Sequence, residues 1–242
     1  MFDRSSHYSY AAQKKQRHRI IKYTLLFVSL FILYNCLTAF FFSVWKIDNN
    51  AMQPGINPGD RIVFSTFAMP YRARNTEGSI ENNLPFKRGS IVLIDKSGDI
   101  KQSLPSRIAD GIVRFFTMQK VSIFSGSRQY YIKRVIALPG DEVSMSEYIF
   151  RVKTGQSFSL TEFELSDKPY VLAIPHSSAL WDSSVPFSGS MDAIILGPNE
   201  CFVISDDRSN TNDSRTWGPI STSMIKAKAV LRFWPFNKIE LF

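Results

Sequence analysis

The stretch Tyr130-Tyr131-Ile132-Lys133-Arg134-Val135-Ile136-Ala137-Leu138-Pro139-Gly140-Asp141 sets a single lysine inside an apolar, strand-like run. Tyr131, Lys133 and Val135 fall on one face of a strand, and Tyr130, Ile132 and Arg134 on the other, before a turn at Pro139-Gly140. Lys133 thus projects among aromatic and branched neighbours, where desolvation lowers the pKa of an amine. A lysine neutral near physiological pH can serve as general base for a hydroxyl nucleophile. The competing reading is a strand-edge lysine that snorkels to water, the commoner fate of lysines.

Outward from this segment, short branched strands continue the pattern. Arg61-Ile62-Val63-Phe64-Ser65 and Ile91-Val92-Leu93-Ile94 each follow a turn, Pro58-Gly59-Asp60 or Arg88-Gly89-Ser90. Further strands are expected over 130–136, 141–145, 148–152, 201–205 and 227–233. Ile225, Ala227, Ala229, Leu231 and Phe233 alternate with polar residues, as in a half-buried strand. One amphipathic helix is expected over 105–118, with Ile108, Ile112, Phe115 and Phe116 on one side. Residues 71–84 read as an exposed, asparagine-rich loop, and 153–198 show no clear order.

Ahead of this β-rich region, residues 23–45 carry no charge. A helix of that length is about 34 Å long, enough to cross a bilayer, and Phe40-Phe41-Phe42 and Trp45 suit a membrane interface. A cleaved secretory signal would have a shorter apolar core and a small-residue cleavage site. Arg4, Lys14, Lys15, Arg17, Arg19 and Lys22 precede the run against only Asp3, which places the N-terminus in the cytoplasm and the remainder outside. The expected organisation is a basic cytoplasmic tail (1–22), a transmembrane helix (23–45) and an extracytoplasmic β domain (46–242). With six bases and one acid in the first 45 residues, only +3 of the total charge of +8 belongs to the outer domain. Nucleic acid is therefore not an expected partner.

Other chemistries find little support. Cys36 and Cys201 lie too far apart in organisation to form a disulfide. His176 is the only histidine past the apolar run, and no G-x-S-x-G accompanies it, which disfavours a serine-histidine-aspartate hydrolase. Neither metal-ligand clusters nor phosphate-binding glycine loops occur, so no metal or cofactor is expected.

Four further blocks carry a resemblance. Asn49-Asn50-Ala51-Met52-Gln53-Pro54 is similar to an S-x-S-M-x-P box, and Pro58-Gly59-Asp60-Arg61-Ile62-Val63 follows it. The lysine segment resembles Y-I-K-R-V-x-G-x-P-G-D. Residues 205–218, from Ser205-Asp206-Asp207-Arg208 to Thr211-Asn212-Asp213-Ser214-Arg215-Thr216-Trp217-Gly218, resemble G-D-N-R-x-x-S-x-D-S-R-x-W-G, and Arg232-Phe233-Trp234-Pro235-Phe236 closes the series. In this order over residues 20–242 the chain resembles a bacterial type I signal peptidase. The resemblance implies a mostly β, membrane-anchored antiparallel domain behind one N-terminal transmembrane helix. It also implies a serine-lysine protease, bound to the cytoplasmic membrane, that cleaves signal peptides of exported preproteins at the outer face of the lipid bilayer. It makes Lys133 the general base, Thr211 the hydroxyl that orients it, Asp213 and Arg215 a bracing pair, and Asn49 and Met52 supporting residues.

The departure is at the nucleophile, whose position holds Ala51: a methyl group cannot attack a carbonyl. Asn49 stands where an oxyanion hydroxyl is often found, though its amide could donate in that role. Ser205 replaces a glycine and Asp207 an asparagine. The reading is thus a family member that binds or acts on signal peptides and is catalytically impaired. The alternatives are an active peptidase with a nonstandard nucleophile, either water or a serine brought in by the fold, and a non-catalytic envelope scaffold. A self-cleaving repressor would share the lysine chemistry, but no DNA-binding segment is present.

Overall fold

The computed structural model describes residues 10–40, 42–66, 84–97, 109, 113, 129–155, 157–175 and 189–242. It comprises two units: one holds the N-terminal helix, the other the β domain. The helix expected over 105–118, most of the loop at 71–84, and His176 lie outside the described residues, apart from Leu84, Ala109 and Val113.

Helix α1 runs over Tyr10–Phe40. It begins well before residue 23 and takes in Lys14, Lys15, Arg17, Arg19 and Lys22, which the sequence suggested as part of a tail. From Tyr23 to Leu33 its large apolar side chains other than the half-buried Phe31 are exposed, Leu25 at 64% and Phe27 at 68% among them. Among the described residues, no helix is long and apolar enough to cross a membrane. The helix also ends earlier than expected, because Phe42–Lys46 forms strand β1. Trp45 is therefore a residue of the sheet rather than of a helix end. Its ring meets Tyr130 at 4.8 Å between centroids.

The β domain is built from two antiparallel sheets. The strands are β1 (Phe42–Lys46), β2 (Arg61–Ser65), β3 (Ile91–Asp95), β4 (Tyr130–Ala137), β5 (Asp141–Ser146), β6 (Ile149–Thr154), β7 (Leu160–Thr161), β8 (Met191–Ile195), β9 (Glu200–Ile204), β10 (Ile220–Ser221), β11 (Ile225–Trp234) and β12 (Glu240–Leu241). The larger sheet has the order β1-β2-β11-β3-β4-β9-β10, with β12 on β11; the smaller has the order β7-β6-β5-β8. Each strand expected from the sequence is present within a residue or two. The short elements β1, β7, β8, β10 and β12 were not expected.

Strand β4 is central to the first sheet and buried from Ile132 onward, with β3 on one side and β9 on the other. Its apolar positions feed two cores. Ile132 packs with Ile62, Phe64, Ile91 and Leu93, and Val135 with Val92, Ile94, Cys201 and Val203. The chain then turns at Pro139-Gly140, where Gly140 has φ +84°, a region open to glycine at little cost. Asp141 holds this turn by accepting from Leu138 N at 2.8 Å.

The alternation expected along β11 holds only to Ala229. Beyond it, bulges against β2 shift the register, so Arg232 turns inward and is buried in place of Leu231 and Phe233. Arg232 donates to the carbonyls of Gly55 and Lys238 and to the carboxylates of Asp60 and Glu240.

The turns bordering the site rest on a buried ion pair. Arg88 Nε and Nη2 donate to the two oxygens of Asp141 at 2.9 and 2.8 Å, and Thr154 Oγ1 donates to the same carboxylate. Removing one partner leaves a charge buried and unmatched, which costs about 3–5 kcal/mol. Asp141→Ala is therefore expected to lower the unfolding free energy of the full chain by about that amount in denaturant titrations, whereas cutting the exposed Lys46–Asp48 pair changes it by less than about 1 kcal/mol.

Candidate active site around Lys133

Lys133 sits on β4 opposite Val92 of β3 and is 2% exposed. Its Nζ donates to Ser205 Oγ at 2.7 Å, and the ring of Trp217 lies 5.9 Å away. Burial drives the amine down from about 10.5 to about 8, against the pull of Asp213 and, more weakly, of Asp206 and Asp207; Arg215 pushes the same way as burial. The buried reading of this lysine is thus the one realised.

Ser205 directly follows β9, and its N–H donates to Asp213 Oδ2 at 3.0 Å. Asp213 caps the short helix α2 (Ser214–Trp217), accepting from Arg215 N. Arg215 returns to the same carboxylate through Nε at 3.0 Å and Nη2 at 2.7 Å, and donates to the carbonyls of Arg208 and Asn210. Burial alone would raise the Asp213 carboxyl, but the hydrogen bonds and charge of Arg215, with the N–H of Ser205, hold it below the ordinary carboxylate range. Asp213 and Arg215 therefore tie the whole loop from Ser205 to Trp217 together. Thr211 is half-buried, and its carbonyl accepts from Asp213 N and Thr216 Oγ1. Its hydroxyl makes no hydrogen bond among the described residues.

Ala51 is buried in the turn between β1 and β2, next to the fully buried Met52. Its carbonyl accepts from Asp207 N at 3.1 Å, which joins this turn to the loop that carries Ser205. Its N–H donates to Asn49 Oδ1 at 3.2 Å. Asn49 thus turns its carbonyl to residue 51, where the sequence suggested amide donation, and occupies a backbone donor that would otherwise be available to an oxyanion.

The opposite face of β4 anchors the same loop. Arg134 grips Asp206 at 2.7 and 2.6 Å and lies over the ring of Tyr170. Tyr170 donates to Glu162, which also takes the Phe150 N–H and Nη2 of the fully buried Arg208. Sequence reading missed Glu162 and Tyr170, which lie in a region without recognisable periodicity. It noted Ser205 only as a departure from pattern.

Because Lys133 titrates near 8 when folded and near 10.5 when unfolded, the unfolded chain alone holds the proton between those values. Stability from this group is therefore complete above about 10.5 and is lost as pH falls through about 8. In unfolding titrations the natural chain is expected to gain on Lys133→Met by on the order of 3 kcal/mol as pH rises across that window. A flat difference would show that Lys133 is not buried as charged or neutral amine in this way.

Residues 20–234 match the family described as signal peptidase, peptidase S26. Two curated relatives from Staphylococcus aureus, strains COL and Mu50, are both described as inactive signal peptidase IA. Each is 22% identical over 91% of this chain and 95% of its own length. A probable signal peptidase I-2 of Synechocystis is 23% identical over 81% of this chain and 64% of its own. A family match across nearly the whole chain, on a domain that buries its lysine against a hydroxyl, leaves one assignment: this chain belongs to the signal peptidase S26 family.

Proposed function

We propose that the chain binds the signal-peptide segment of exported preproteins at the outer face of the cytoplasmic membrane and does not cleave it efficiently. The observation that carries this reading is the combination of a methyl group at Ala51 with an ordered base at Lys133. Lys133 is buried, hydrogen-bonded and shifted toward neutrality, yet position 51 offers no hydroxyl to deprotonate. Loss of the nucleophile in a comparable hydrolase lowers turnover on the order of a millionfold. That relatives are described as inactive signal peptidases agrees with this.

A place for an extended peptide is supported by the sheet. On one side Tyr130–Lys133 of β4 is paired with β3, but β9 begins pairing only at Arg134. Among the described strands none pairs with Tyr131 and Ile132 on that second side. A peptide added there in strand form would draw main-chain hydrogen bonds from β4 and reach Lys133 with its end.

Membrane attachment through a single α1 span, with its N-terminus in the cytoplasm, is supported by the uncharged run that starts at Tyr23 and by the six bases ahead of it. Exposed apolar side chains around α1 call for an apolar surrounding, since a helix hydrophobic on all sides is either buried or in a membrane. Trp234, Phe236, Ile239 and Leu241 form a second exposed apolar group at the end of the β domain, suited to the bilayer surface.

The test is cleavage of a preprotein ending in Ala-x-Ala by full-length protein in detergent. The natural chain is expected to be inert. Ala51→Ser is expected to cleave, with a rate that rises with pH through about 8 as Lys133 loses its proton. Adding Lys133→Ala should abolish that activity, and adding Asn49→Ser should raise it by freeing the N–H of residue 51. Efficient cleavage by the natural chain that is lost in Lys133→Ala would overturn the reading.

A further inference from the structure

Strand register, rather than loop chemistry, brings Ser205 to Lys133. In the antiparallel pair of β4 and β9, Arg134 faces Ile204. The next cross-strand position therefore sets Lys133 opposite Ser205, with both side chains on one face. The serine backbone is fixed in turn, since its N–H is held by Asp213 Oδ2 at 3.0 Å and that carboxylate is clamped by Arg215. Both ends of the 2.7 Å contact between Nζ and Oγ thus hang on rigid elements. Among the described residues the amine makes no other hydrogen bond, and the hydroxyl of Thr211 makes none at all.

This geometry has a chemical use. A neutral amine carries two N–H groups and one lone pair. When a fixed hydroxyl accepts one N–H, rotation about Cε–Nζ is restricted and the lone pair is given a direction. We propose that Ser205, and not Thr211, is the positioning residue for Lys133, its hydroxyl accepting an N–H of the amine and so fixing the direction of the lone pair. The inference rests on the reading of Lys133 as the base of a signal-peptidase site.

The hydroxyl also favours the charged form of the amine, since an acceptor stabilises an ammonium. The other groups that act on Lys133 are the carboxylates of Asp213, Asp206 and Asp207, the guanidinium of Arg215 and the ring of Trp217. Replacing Ser205 leaves all of these in place.

The experiment follows Lys133 Nζ by NMR titration in the full-length chain, and in Ser205→Ala, Ser205→Thr and Thr211→Ala. Ser205→Ala is expected to move the lysine titration down by about half to one pH unit, the loss of one acceptor to the charged form. Ser205→Thr, which keeps the hydroxyl, should hold the natural value, and Thr211→Ala should leave the titration where it is. Ser205→Cys, a weak acceptor, gives the same direction if the alanine variant does not fold. In an Ala51→Ser background, Ser205→Ala should further lower kcat about ten- to a hundredfold with KM little changed, and Ser205→Thr should recover most of it. An unmoved titration in Ser205→Ala and Ser205→Cys, or a shift in Thr211→Ala alone, overturns the proposal. Should Ala51→Ser prove inert while the titrations move as expected, the positioning role stands and the peptidase reading alone fails.

Discussion

A buried amine is the constraint on which the β domain turns. Lys133 can be charged inside the sheet only at a cost, and neutral only if its N–H groups and lone pair find a setting. The chain meets this by placing the lysine in a central strand, so that β3 and β9 fix its backbone, and by bringing a hydroxyl across from the end of β9. That hydroxyl needs an anchored backbone, which Asp213 supplies. Asp213, being buried itself, needs Arg215, and Arg215 uses its remaining donors on the carbonyls of Arg208 and Asn210. One desolvated cation thus accounts for a run of interactions that otherwise looks like an accumulation of charges in a loop.

Much of this was legible because it rests on local chemistry. A lone lysine among alternating apolar residues, followed by Pro-Gly-Asp, reads as a buried strand and turn, and that is what β4 and Gly140 form. The boundary between α1 and β1 was not legible. The aromatic, uncharged run ending in Trp45 fits a membrane-facing helix and a sheet strand equally well in hydrophobicity, and only pairing with β2 decides it. The inward turn of Arg232 was hidden for a different reason. Bulges depend on the partner strand, so a clean alternation in β11 gives no warning of them. The role of Ser205 was hidden too. A serine after a strand has no pattern of its own, and its meaning comes from a cross-strand neighbour 72 residues away.

The two faces of β4 hold the lysine segment in place by separate contacts. Arg134 is committed to Asp206 and stacked on Tyr170, while Lys133 is committed to Ser205. Both partners lie in the same loop, two adjacent residues apart in role but on opposite sides of the sheet. Changing either basic residue leaves a buried group unmatched, at a cost far larger than that of losing a surface contact. Ala51 contributes to this loop only through its carbonyl, by accepting from Asp207 N. Its hydrogen bonds run through the backbone alone, so the methyl group at this position holds none of the fold. The side chain at position 51, like the hydroxyl of Thr211, is thus one on which no hydrogen bond among the described residues depends. Lys133, its contact with Ser205 and the Asp213–Arg215 pair therefore stand independently of the side chain at position 51.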